Sequence, residues 1–173
     1  MSASLSACLC EPCYGSAMTD RVGPLELAPD HGLAVGDPNG MHILLTREKL
    51  LWREPGQEHD ALDWDELSTI EWVVPSRRIG FIRLADAVVA VASSALDAVG
   101  VGPLDPALLR LRATTLTGDE TEWTATPHHA IGYPAADVEV VLPFLDRLHH
   151  DTALRARLAT DPRATLDELG RRR

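Results

Sequence analysis

Aromatic residues are scarce in this chain of 173 residues: four Trp, two Tyr and two Phe make up 5% of it. A core must therefore come mostly from Leu, Val, Ile and Ala, and the 45% hydrophobic share is enough to build one. Lysine is nearly absent, with Lys49 alone among 16 basic residues. We read that arginine bias as genomic base composition, not as arginine chemistry. The formal net charge is −10, which excludes a general binder of phosphate backbones, since that needs clustered Lys and Arg. No nucleic-acid partner is expected. The longest apolar stretch, 79–101, contains Arg83, Asp86 and Asp97 and is too interrupted to span a bilayer. The first 17 residues have no Lys or Arg ahead of an apolar run, so no secretory signal is expected and the expected location is cytoplasmic. Nucleophile elbows, Walker loops and dinucleotide fingerprints are missing as well. Gly100 and Gly102 run straight into Pro103 without a third glycine. No enzyme activity and no cofactor are expected.

What is present reads as α+β in one domain. Residues 1–31, rich in small residues and turn formers, are expected to be a poorly structured lead-in, with Met18 as an alternative start. Residues 32–150 form the domain, and 151–173 a C-terminal helical extension. Runs 41–46 and 49–54 flank Arg47-Glu48 and read as a hairpin. A polar loop at 54–66 holds Pro55-Gly56, and a strand follows at 67–74, ended by Pro75. At 78–99 the period changes. Phe81, Ile82, Ala85, Val88, Val89, Ala92, Leu96 and Val99 recur every three or four residues, predicting an inserted amphipathic helix, with a strand at 88–91 as the alternative.

Residues 108–116 and 121–126 predict a second hairpin. For Leu111, Ala113 and Trp123 to share a face, its loop must hold an odd number of residues. The outer face then sets Arg110 and Arg112 against Glu122. Val138, Val141, Leu142, Leu145 and Leu148 form a helical stripe that Pro143 interrupts. Either a kinked helix spans it, or a strand at 137–142 precedes a helix opened by Pro143. Asp151 and Asp161 are placed as N-caps, with Pro162 at a first helical position and Gly170 at a helix end.

Chemistry-bearing side chains fall into four groups. Cys8, Cys10 and Cys13 are thiols that suit zinc or copper(I), but a closed site needs a fourth ligand such as His31. Metal-site cysteines normally come as spaced pairs, so a tail of reduced thiols is the competing reading and no metal is expected. From Glu54 to Glu71 lie seven carboxylates, with Arg and Lys absent. Their spacing is not that of a calcium loop, which leaves a solvated acidic loop able to meet a basic partner. His128-His129 and His149-His150 are adjacent pairs whose members face apart, poor chelates expected at the surface or at caps. Trp52, Trp72 and Trp123 lie in strands and are expected in the core. Trp64, within Leu62-Asp63-Trp64-Asp65-Glu66-Leu67, either plugs the core or faces a partner. The candidate partner-binding set is Trp64, Asp63, Asp65 and Glu66, with Arg77 and Arg78. Arg77, Arg78 and Arg83 also define a membrane-surface alternative beside the apolar stripe, which the overall acidity disfavours.

The run His42-Ile43-Leu44-Leu45-Thr46-Arg47-Glu48-Lys49-Leu50-Leu51-Trp52-Arg53, followed by Leu62-Asp63-Trp64-Asp65-Glu66-Leu67-Ser68-Thr69-Ile70, resembles the opening of bacterial pleckstrin-homology-like (PH-like) domains. In those, a strand ending in a Leu-Thr step turns into a second strand, and a Trp-Asp-Glu-Leu segment leads into a third. The hairpin 108–126 and the C-terminal helix fit that family's closing strands and capping helix, so the resemblance covers residues 41–150 in outline. The helix at 80–100 and the residues beyond the capping helix depart from it. The resemblance implies a bent antiparallel roll acting as a binding scaffold, with a protein partner or its own copy as occupant. Phosphoinositide binding is not carried over. Its basic loop would have to match Arg47, Lys49 and Arg53, which are equally readable as outward strand residues.

Overall fold

The sequence periodicities become three sheets and three helices in the computed structural model, which describes residues 20–29, 32–77 and 108–172. Six antiparallel strands follow in chain order: β1 (Arg21–Val22), β2 (Leu25–Leu27), β3 (Leu33–Val35), β4 (His42–Leu45), β5 (Lys49–Glu54) and β6 (Gln57–Asp63). Thr46 closes the β4–β5 hairpin. Its hydroxyl donates to the Lys49 carbonyl at 2.7 Å and accepts from the Lys49 N–H at 3.0 Å, pairing Leu45 with Leu50.

Two expectations are corrected here. Strands begin at Arg21, so residues 20–29 of the expected lead-in are folded. Most of the expected polar loop is β6, a strand with little apolar alternation that forms because its backbone pairs with β5. The Pro55-Gly56 turn between them needs the left-handed backbone that Gly56 adopts, with φ +82°.

The second sheet has the order β10–β9–β7, with β7 at Leu67–Val73, β9 at Leu109–Thr115 and β10 at Glu120–Ala125. Leu111 pairs with Trp123 and Thr114 with Glu120, so the odd-loop condition holds and Leu111, Ala113 and Trp123 share the buried face. Opposite them, Arg112 Nε lies 2.9 Å from Glu122. Two short strands, β8 (Ser76–Arg77) and β11 (Tyr133–Pro134), pair in parallel.

Helix α1 (Ala135–His150) runs unbroken through Pro143, which removes the alternative of a strand at 137–142. Proline there deprives the Glu139 carbonyl of its helical partner. Both residues are exposed, so water can serve that carbonyl. Asp151 and Asp161 cap α2 (Thr152–Thr160) and α3 (Pro162–Gly170), accepting from the Leu154 and Ala164 N–H groups at 2.9 Å. The bond from Leu154 holds the Asp151 carboxyl below its usual range.

One main core joins these parts. Leu33, Ile43, Leu50, Leu111, Trp123, Val141, Leu145, Leu158 and Leu166 belong to it. The alternate residues Ala34, Leu44 and Leu51 form a smaller cluster on the other face of the six-stranded sheet. Segment 151–170 is therefore part of the domain's own packing. Among the described residues, no helix is long and apolar enough to cross a membrane. The helix expected at 78–99, the three cysteines, Arg78 and Arg83 lie outside the described residues.

Candidate functional site

Trp64 sits in a single 3-10 turn, Trp64–Glu66, that carries the chain from β6 into β7. Its backbone N–H donates to the Glu48 carbonyl at 3.0 Å and its indole N–H to the Thr46 carbonyl at 3.1 Å, so both bonds reach the β4–β5 turn. The ring is 2% exposed. Trp64 is thus a core plug, and of its two expected roles the partner-facing one is excluded. Anchoring the ring inward leaves Asp63, Asp65 and Glu66 exposed around it.

The other wall comes from α2. Arg155 is 5% exposed, with its guanidinium carbon 5.6 Å from the centre of the Trp64 ring. A cation that dry needs partners. One terminal nitrogen donates to Asp65 Oδ1 and Thr152 Oγ1, both at 3.1 Å, and the other donates to the His149 carbonyl at 3.3 Å. Its Nε is buried without a hydrogen-bond partner. Asp65 itself stays open to water, its side chain 91% exposed, with one carboxylate oxygen on the buried cation.

An open cleft of about 420 Å³ results, lined by Asp63, Asp65, Glu66 and Arg155 with Arg47, Glu48 and Thr152. Its carboxylates accept hydrogen bonds and attract cations. The Thr152 hydroxyl accepts from the Arg155 guanidinium at 3.1 Å. The structure brings together Asp63, Asp65 and Glu66 from the sequence-derived set, over Trp64. Arg77 is not among them, lying on β8 beside β11. Arg155, Thr152 and the Arg47-Glu48 turn escaped the sequence reading, because nothing in local spacing links residue 155 to residue 65.

The histidine pairs do not converge. His149 Nε2 lies 3.2 Å from the Leu67 carbonyl. His128 is not a surface residue as expected. Its side chain is 4% exposed, 2.9 Å from the Tyr133 hydroxyl and 2.8 Å from a Glu26 carboxylate oxygen. Among the described residues, no group of three or more His, Cys, Asp or Glu is placed to hold a metal ion. Trp52 stacks on Trp123 at 6.1 Å, and their indole N–H groups donate to the Thr124 carbonyl and to Asp60, which fastens the β5–β6 hairpin over β10. Compared with family models, with curated proteins and with solved structures, the chain matches none.

Proposed function

We propose that this chain is a non-catalytic interaction module of PH-like type, whose acidic cleft takes a basic segment of a protein partner. The observation that carries this reading is the state of Asp65, solvent-exposed yet bonded at 3.1 Å to the buried Arg155 that packs on Trp64. A carboxylate already bonded at one oxygen loses little side-chain freedom on meeting a cation, which favours binding over the same charge on a loose loop. Asp63, Glu66 and Glu48 surround it with charge of the same sign. The two larger antiparallel sheets, with α1 packed against β7, are compatible with a scaffold of the PH-like kind.

The test is a titration of the isotope-labelled chain with an arginine-rich peptide, and separately with a glutamate-rich one, at about 0.15 M salt. Saturable amide shifts at 47–48, 63–66, 152 and 155 are expected with the basic peptide alone. They should be lost in the Glu48→Lys/Glu66→Lys double variant. Shifts scattered over the surface, or unchanged by that variant, would overturn the reading.

A further inference from the structure

Asn39 is the only asparagine of the chain, and glycine follows it. Such a pair is chemically vulnerable, because Gly40 has no side chain to keep its amide nitrogen from the Asn39 side-chain carbonyl carbon. Asn39 is exposed at the turn between β3 and β4, within reach of the water the reaction consumes. Three hydrogen bonds to Asp37 oppose the approach. The Gly40 N–H, which carries the attacking nitrogen, donates to the Asp37 carbonyl at 2.9 Å. Asp37 Oδ1 accepts from the Asn39 backbone N–H at 2.9 Å and from Asn39 Nδ2 at 3.2 Å. Sharing one acceptor with its own backbone N–H draws the Asn39 side chain toward the start of the turn, and the Gly40 nitrogen lies on the other side. Thr126 clamps the turn from β10. Its carbonyl accepts the Asp37 N–H at 2.8 Å, its N–H donates to the Met41 carbonyl at 2.7 Å, and its hydroxyl accepts the Met41 N–H at 3.2 Å. A methyl on Gly40 would lie 2.9 Å from that hydroxyl oxygen, so the Gly40 peptide has little room to rotate.

We propose that Asn39 is a deamidation site that Asp37 keeps closed in the folded chain. When the turn opens, the Gly40 nitrogen gives its proton to water or hydroxide and bonds to Asn39 Cγ. The bond from Cγ to Nδ2 breaks and ammonia leaves, which closes a five-membered imide. One water then opens the imide at either carbonyl, giving aspartate, or isoaspartate with the main chain routed through the former side chain. Both products bring a second carboxylate to the turn in place of the Nδ2 donor, so Asp37 Oδ1 faces like charge where it had a hydrogen bond. Isoaspartate also lengthens the backbone ahead of Gly40, which has no space against Thr126. The step is therefore one-way, and it unfastens the β3–β4 turn from β10.

Ageing of the full chain at mildly alkaline pH tests this. With one asparagine present, the mass change from amide to acid reads the site directly, and peptide mapping separates it from Gln57 and aspartate from isoaspartate. The folded chain should react at least about tenfold more slowly than the chain in guanidinium chloride, and folded Asp37→Ala about tenfold faster than folded wild type. Asp37→Asn retains an oxygen acceptor and should stay near wild type, and its new amide precedes Pro38, which has no N–H to attack it. Leu158→Ala weakens the core from α2 and should not reproduce the acceleration. Equal rates for folded and denatured wild type, no effect of Asp37→Ala, or an equal effect of Leu158→Ala would overturn the proposal. Should Asp37→Ala not fold, hydrogen exchange of the wild type decides. A deamidation rate that follows opening at the Gly40 amide sustains the guarded site, and one that follows opening at the Leu145 amide in the core removes it.

Discussion

At Asp65, exposure and energetic weight part company. Its side chain is 91% exposed, so truncation would ordinarily change stability by less than about 0.5 kcal/mol. Its partner, though, is an arginine 5% exposed and packed on Trp64. Asp65→Ala leaves that cation with neutral oxygens only, and a loss of about 1–2 kcal/mol is expected in urea unfolding. Asp63→Ala, two residues away in the same rim, serves as the control and should stay within about 0.5 kcal/mol. Equal midpoints for the two variants would show that water replaces the carboxylate and that Arg155 does not depend on it. The acidic rim was legible from charge alone, whereas Trp64, between Asp63 and Asp65, could be read either as a core plug or as facing a partner. The dependence on Arg155 was not, because it arises where α2 folds back on the β4–β5 turn. The His128 contact was hidden for the same reason: Glu26 lies on β2, and a His-His dipeptide has no periodicity that marks one ring as buried.

Two glycines in turns separate backbone preference from crowding at the scale of an element. Gly56 and Gly132 share a φ of +82°, which a side chain rarely adopts. A methyl at Gly56 would meet open space, whereas one at Gly132 would come within 2.6 Å of the Pro75 carbonyl oxygen. Gly56→Ala should therefore cost about 1 kcal/mol, the backbone strain alone. Gly132→Ala should cost about 3 kcal/mol, since the β8–β11 pairing must shift to make room. Thermal unfolding of both variants checks this, and equal losses would mean that the Pro75 contact relaxes freely.

Legibility among the elements follows the same physics. The 108–126 hairpin could be read because Leu109, Leu111, Ala113 and Trp123 alternate with charged or polar residues against a buried face. Strand β6 could not, because Gln57, Glu58, His59 and Asp60 are all exposed and nothing in their side chains records the backbone pairing. The same strand shows how its outer edge is guarded. Asp60 accepts the following Ala61 N–H at 2.8 Å, and three carboxylates repel a like-charged strand.

On the scale of the whole molecule, the sequence suggested a domain at 32–150 with appendages on either side, and packing argues for a tighter unit. Helix α3 touches both β1 and β2, and Arg163 lies 2.8 Å from Asp20, so the two flanking segments lean on each other. Leu154, Leu158, Leu166 and Leu169 are 6%, 1%, 0% and 5% exposed and share the main core with Val22 and Leu25. At about 1.5–3 kcal/mol for each buried leucine, these four contribute about 6–12 kcal/mol before chain entropy is subtracted. That is comparable with the whole stability of an ordinary domain, about 5–15 kcal/mol. A chain cut after His150 should therefore lose cooperative unfolding and bind hydrophobic dyes, with amide protection gone first from Val22 and Leu25. Removing only 171–173, where Arg171 and Arg172 are exposed, should leave the transition where it was. If the chain ending at His150 instead unfolds in one sharp transition near the full-length midpoint, the sheets and α1 are self-sufficient. The helices α2 and α3 would then act chiefly as the wall that Arg155 supplies to the acidic cleft.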